Sequence, residues 1–159
     1  MIWEKYKSLA ARTMLDRGKE HNFLHMNAGI GTELFELMDI FKRNYAYDKD
    51  VDLIHVSEEI GDTFWYEANR ERLFPELTFD VKEYQFNSIE DIMYSIIDFN
   101  IMEGSATPLL MAMIDYFELD LDLILTKNIK KLKGRFPDKF NTVDALNRNL
   151  DNERKILES

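Results

Sequence analysis

The stretch GTELFELMDIFKR, residues 31–43, sets Leu34, Leu37, Ile40 and Phe41 at the helical period. It therefore reads as an amphipathic helix with one face committed to a core. Inside that pattern, Glu33 and Glu36 stand one turn apart on the edge of the apolar face. Like charges at this spacing repel by about 0.2–0.5 kcal/mol. A solvated face tolerates that cost, whereas a metal site requires it.

The remainder of the chain favours the same kind of structure. Only 6 glycines and 3 prolines occur in 159 residues, which points to long helices and away from a turn-rich β fold. An apolar share of 45% is that of a folded globular chain, and the length suits one domain spanning 1–159. With no cysteine there is neither a disulfide framework nor a thiolate metal site. The net charge of −10 argues against broad contact with nucleic-acid phosphates. MIWEKYKSLAARTML lacks the pattern of a signal peptide, and no run approaches the roughly 18 apolar residues of a membrane span. The expectation is a cytoplasmic, all-α helical bundle that engages no membrane and no nucleic acid.

Helices are expected at roughly 2–18, ending near Gly18, at 24–43, and at 51–73, stopping before Pro75. The stretch LTFDVKEYQFN reads as loop. Ser88, with Asp91 three residues on, predicts an N-cap for a helix running to about Glu103 and ended by Gly104. Thr107 and Pro108 form a cap and first-turn pair for LLMAMIDYF. LDLILTKNIKKLKGRF follows, ended by Pro137, and a last polar helix starts at Thr142 and covers roughly 142–157.

The segment VSEEIGDTFWY repeats the acidic spacing with Glu59 and Asp62, and Glu58 adds a third acid. Let the helices at 24–43 and 51–73 form an antiparallel hairpin turning near 44–51. Glu36 and Glu59 then lie equally far from the turn, roughly 12 Å at 1.5 Å per residue. Four carboxylates would face one another across a single seam. Buried together without a cation they could not all ionise. Oxygen-only ligation suits a hard ion, Mg²⁺ or Mn²⁺. The alternative is that the acids only solvate two exposed faces. A di-iron bundle requires Glu-x-x-His on two helices, and the chain has no such pair.

This order of motifs resembles the MazG-like all-α nucleoside triphosphate pyrophosphohydrolases. The carriers are E-x-x-E at Glu33/Glu36 and E-x-x-D at Glu59/Asp62, together with EEIGDTFWY, NIKKLKGRFPDKF and LNRNLDNERKILE. The resemblance spans most of 6–73 and 117–157. It implies a helical bundle working as a homo-oligomer, dimer or tetramer, with Glu33, Glu36, Glu59 and Asp62 as Mg²⁺ ligands. The implied reaction is cleavage of a (deoxy)nucleoside triphosphate to the monophosphate and pyrophosphate, in nucleotide-pool control or sanitation. Metal would let an acidic pocket hold the polyanion and would make a bound water more acidic. Glu36 is the candidate to orient or deprotonate that water.

Matching positions extend the expected site. Asn128, Lys131 and Arg135 share a helix face, and the resemblance makes them phosphate-binding. The alternative is a basic solvated face shared with Lys127, Lys130 and Lys133; Arg135 could equally pin the C-terminal helix. Tyr66 is expected at sugar or base, or else as an aromatic core residue. His25 is a substrate contact or a structural imidazole. Lys42 and Trp65 are expected to be solvated and core, respectively. Two departures from the family pattern stand out. Thr32 occupies a position where many members carry a further Glu, and about forty residues, 69–108, form an inserted helical segment. The competing reading from another class is a non-catalytic oligomerisation, regulatory or nucleotide-sensing protein.

Overall fold

In the computed structural model, which describes residues 1, 3–136 and 150–158, helices are the only extended regular elements among those residues. The first, α1 (Trp3–Ala10), runs into a single 3-10 turn at Ala11–Thr13. The long pair α2 (Lys19–Tyr47) and α3 (Leu53–Leu73) follows. Then come α4 (Ile89–Ile97), α5 (Thr107–Tyr116), α6 (Leu121–Arg135) and α7 (Leu150–Glu158). No helix of the described residues is long and apolar enough to cross a membrane.

The bundle is organised on the α2–α3 hairpin, whose two helices pack on each other more extensively than any other pair. Asp48 closes α2 in the left-handed conformation (φ 51°), its N–H bonded to the Asn44 carbonyl. Asp52 opens α3, its side chain accepting from the N–H groups of Ile54 and His55. Two donors that a helix start leaves unpaired are satisfied in this way, a cap worth about 1 kcal/mol. The apolar face inferred for 31–43 is the buried one. Leu34, Leu37, Ile40 and Phe41 join Val56, Ile60 and Phe64 of α3 in the core. Tyr6, Ile92, Ile96, Leu109, Met113, Ile124 and Leu125 from the other helices complete it. Removing each such aliphatic side chain from water contributes about 1.5–3 kcal/mol before ordering costs.

Several boundaries differ from expectation, for local reasons. The first helix does not continue to Gly18. Asp16 accepts from the Gly18 N–H and from Asn22 Nδ2, and Thr13 Oγ1 donates to the Ala10 carbonyl. These short-range side-chain bonds offer the backbone an alternative to the helix. Gly18, at φ 95°, instead starts α2, which is longer at both ends than 24–43. The capping box of Ser88 and Asp91 is present, but the helix it opens ends at Ile97 rather than near Glu103. Past it, Asn100 Oδ1 accepts from the Met102 N–H and Nδ2 donates to Glu103, folding 98–104 into turns. At the next start Ala106, not Thr107, takes the cap position. The 74–88 stretch has no strand; one isolated bridge joins Asp80 to Gly104. Pro137 and Thr142 lie outside the described residues.

Arg70, near the end of α3, is fully buried and ties this irregular segment down. Its guanidinium donates to the Glu67 carboxylate (2.9 Å), Asn27 Oδ1 of α2 (3.0 Å) and the carbonyls of Ile101 (3.0 Å) and Gly104 (2.8 Å). Glu67 in turn accepts from the Ala106 N–H, and the Phe79 ring covers the guanidinium at 3.9 Å. Bonds from both terminal nitrogens to fixed partners offset the desolvation of this buried ion pair, although Arg70 Nε is buried without a partner among the described residues.

Candidate metal centre

Residues that face each other across the hairpin run in opposite order along the two helices: Gly29 meets Tyr66, Glu33 meets Asp62 and Glu59, and Glu36 meets Glu59. Close approach depends on Gly29, where an added Cβ would stand 2.1 Å from the Tyr66 ring. Glu33, Glu59 and Asp62 each present an oxygen within 4.8 Å of the others, and Glu36, His55 and Glu59 form a second such group. The four carboxylates named from spacing thus line one cavity of about 260 Å³, shared with His25, Tyr66, Trp65 and Arg135.

Electrostatics mark this cluster as short of positive charge. Glu59 is only 4% exposed. Burial raises the pKa of Glu59 first, and the hydrogen bond to Glu33 and the charges of Asp62, Glu33 and Glu36 raise it further. Glu33 is raised too, by burial and then by Asp62, with its bond to Glu59 and the Lys131 charge opposing. The two carboxyl groups are hydrogen-bonded to each other. An all-oxygen donor set with unmet negative charge fits a hard divalent ion; Glu33, Glu59 and Asp62 are the residues that would hold it, with Glu36 on the same cavity wall.

Asp62 is built in from behind. Lys131, 1% exposed, reaches it at 2.5 Å and Glu58 at 3.1 Å. Asn128 Nδ2 donates to the other Asp62 oxygen at 2.7 Å, and the Tyr6 hydroxyl donates to Asn128 Oδ1 at 2.8 Å. Gly61 admits α6 here, since a Cβ would lie 3.2 Å from that of Asn128. Neither Lys131 nor Asn128 lines the acidic cavity. Both border a neighbouring one of about 220 Å³ between α3 and α6, and Glu58 borders both.

The other expected contacts divide. Tyr66 lies on the acidic cavity, its hydroxyl pKa pushed up to about 12 by burial and then by Glu33 and Asp62. His25 packs edge-on against Tyr66, and burial lowers its pKa. Arg135 borders the cavity but is clasped by Glu153 of α7 at 2.5 and 2.9 Å. Trp65 is not plain core: its indole N–H donates to Thr13 Oγ1 and the Ala10 carbonyl. Lys42 pairs with Asp39 on the surface. A third cavity of about 420 Å³, with Leu15, Arg17, His21 and Leu24 on its wall, meets the acidic one at Thr13, His25 and Trp65.

His55 was not expected from the sequence. Its Nε2 stands 2.8 Å from Glu59 Oε1. The available signal was the four-residue step from His55 to Glu59, which puts both on one helix face; a Glu-x-x-His pattern has its histidine on the other side of the glutamate. Tyr6 had no readable signal, because its partner Asn128 is 122 residues away. Compared with known proteins, the chain matches no family model, no curated protein and no solved structure.

Proposed function

We propose that this chain is a Mg²⁺-dependent hydrolase that converts a (deoxy)nucleoside triphosphate to the monophosphate and pyrophosphate. The observation that carries the reading is the convergence of Glu33, Glu36, Glu59 and Asp62 from two packed helices onto one cavity, with charge that burial leaves uncompensated. Mg²⁺ would supply charge neutralisation for the polyanion and a more acidic water. Glu36, exposed at the rim, is placed to orient that water or accept its proton. Lys131 and Asn128 hold the Asp62 carboxylate by both oxygens, so their role is to fix a ligand rather than to wait for a phosphate. The adjoining cavity beyond His25 and Trp65 offers room for the nucleoside. The setting is cytoplasmic nucleotide-pool control or sanitation by a homo-oligomer, with Mn²⁺ able to replace Mg²⁺.

One observation favours a second reading, nucleotide or metal sensing without turnover. Lys131, the cation assigned to the leaving phosphates, is already neutralised by Asp62 and Glu58. A screen of common and modified nucleoside triphosphates with Mg²⁺, products separated by chromatography, decides between them. Monophosphate and pyrophosphate, abolished by chelation, are expected. Primary release of orthophosphate and diphosphate would overturn the assignment, and saturable binding without products would favour the sensor.

A further inference from the structure

Beside the acidic cavity, Glu36 and Glu59 of its wall meet a side chain of different chemistry. Towards the hairpin turn, the ligand atoms of Glu36 (α2), His55 and Glu59 (both α3) lie within 4.8 Å of one another. This group contains an imidazole nitrogen, so it is not simply another set of acids. Octahedral donors about 2.1 Å from a metal lie about 3.0 Å apart when adjacent and about 4.2 Å when opposite. The His55 Nε2 to Glu59 Oε1 distance of 2.8 Å already matches the adjacent bite. The Glu36 ligand atom, already within 4.8 Å of both, needs to close by at most about 1.8 Å to become an adjacent donor, within the reach of a rotamer adjustment for an exposed side chain. No ion pair or hydrogen bond holds Glu36 elsewhere among the described residues, and Lys131 is committed to Asp62 and Glu58.

We propose that Glu36, His55 and Glu59 form a second, mixed nitrogen–oxygen metal position that selects a first-row transition ion, beside the all-oxygen position of Glu33, Glu59 and Asp62. Imidazole is a poor ligand for Mg²⁺, which keeps water and carboxylate oxygen. It suits Mn²⁺, Co²⁺ and Zn²⁺, with affinity rising along that series for a given N/O set. Glu59 has two oxygens and belongs to both groups, so it bridges the positions. On binding, the contact between His55 and Glu59 is replaced by two bonds to one ion, and any proton carried on His55 Nε2 leaves that nitrogen. The proposal rests on Glu59 being a metal ligand, as in the function above, but it requires no nucleotide and no turnover.

Co²⁺ titration of chelator-treated full-length protein, followed by visible absorption, tests it in wild type, His55→Gln and Asp62→Asn. Wild type should take up two Co²⁺ per chain, one of them displaced by millimolar Mg²⁺ and the other retained. His55→Gln should weaken the retained event at least tenfold and keep the Mg²⁺-displaceable one; Asp62→Asn should do the reverse. His55 is 41% exposed, so the glutamine variant is expected to fold, and circular dichroism checks this. In wild type, ¹⁵N coupling in the Mn²⁺ electron-spin spectrum after histidine labelling gives an independent readout of a nitrogen ligand. Equal Co²⁺ uptake by wild type and His55→Gln, or no nitrogen coupling, would overturn this site and leave the hydrolase reading intact. A His55-dependent site in a protein without nucleotide turnover would support it while sinking that reading.

Discussion

Lys131 shows what burial does to a residue whose chemistry looks plain. Judged from its sequence position, a change to Met keeps the apolar stem and should leave packing intact. In the bundle, however, its ammonium is the cation beneath Asp62 and Glu58 at 1% exposure. Removing it leaves two carboxylates facing each other in a partly buried site, a loss that costs about 3–5 kcal/mol when one partner of a buried pair is deleted. Lys131→Met is therefore expected to lower the unfolding temperature by several degrees as well as cutting kcat/KM by about 10²-fold or more. Lys133, exposed on another face, should tolerate the same change with less than about a twofold effect on kcat/KM. Thermal unfolding and steady-state kinetics of the two variants check this; equal behaviour would show the ammonium to be dispensable.

At the scale of elements, the seam between α2 and α3 depends on a missing side chain. Gly29→Ala would put a methyl group inside the Tyr66 ring, so the ring must swing or the helices must part. The alanine gains helix propensity of about 1 kcal/mol, but overpacking costs about 1–3 kcal/mol, and the cost wins. Expected are a lower unfolding temperature and a changed Tyr66 environment in near-ultraviolet dichroism; a more stable variant would refute the close approach. The hairpin itself was legible because helical period and equal distance from the turn are local facts: Glu36 and Glu59 come level through 1.5 Å per residue and little else. What local pattern could not carry was decided by side chains far apart in sequence or by competing short bonds. Asp16 and Thr13 cut the first helix short, and Arg70 captures the carbonyls of Ile101 and Gly104. The acidic pairs were legible for the same local reason, whereas the burial of Lys131 follows from how α6 crosses α3, which no spacing records.

For the molecule as a whole, the acidic cavity sets a pH dependence of stability. Glu33 and Glu59 hold protons more tightly folded than unfolded, their pKa values raised by burial and mutual repulsion. The folded state then binds more protons than the unfolded one above the ordinary value of 4.5, so stability falls as pH rises from there across neutrality. Each group so linked contributes up to about 1.4 kcal/mol per pH unit within its window. Burial raises Asp52 and Glu71, but the His55 N–H and then Arg154 hold Asp52 low, and Lys7 and then Trp3 hold Glu71 low; both act the other way, losing their contribution as pH drops through the acid range. Metal-free protein is expected to be most stable near pH 5, and saturating Mg²⁺ should flatten the alkaline decline by holding the carboxylates ionised. Glu59→Gln should flatten it without metal. Chemical denaturation between pH 4 and 8 measures both, and a decline unaltered in Glu59→Gln would assign it elsewhere.

The Arg70 cluster has a kinetic counterpart. One guanidinium and its glutamate hold two carbonyls and an amide of the 98–106 turns, together with Asn27 on α2. Groups fastened at a single point cannot let go one at a time. The Ala106 amide and its neighbours should then exchange with deuterium at a common rate, as one opening unit whose protection approaches that of the helices it is pinned to.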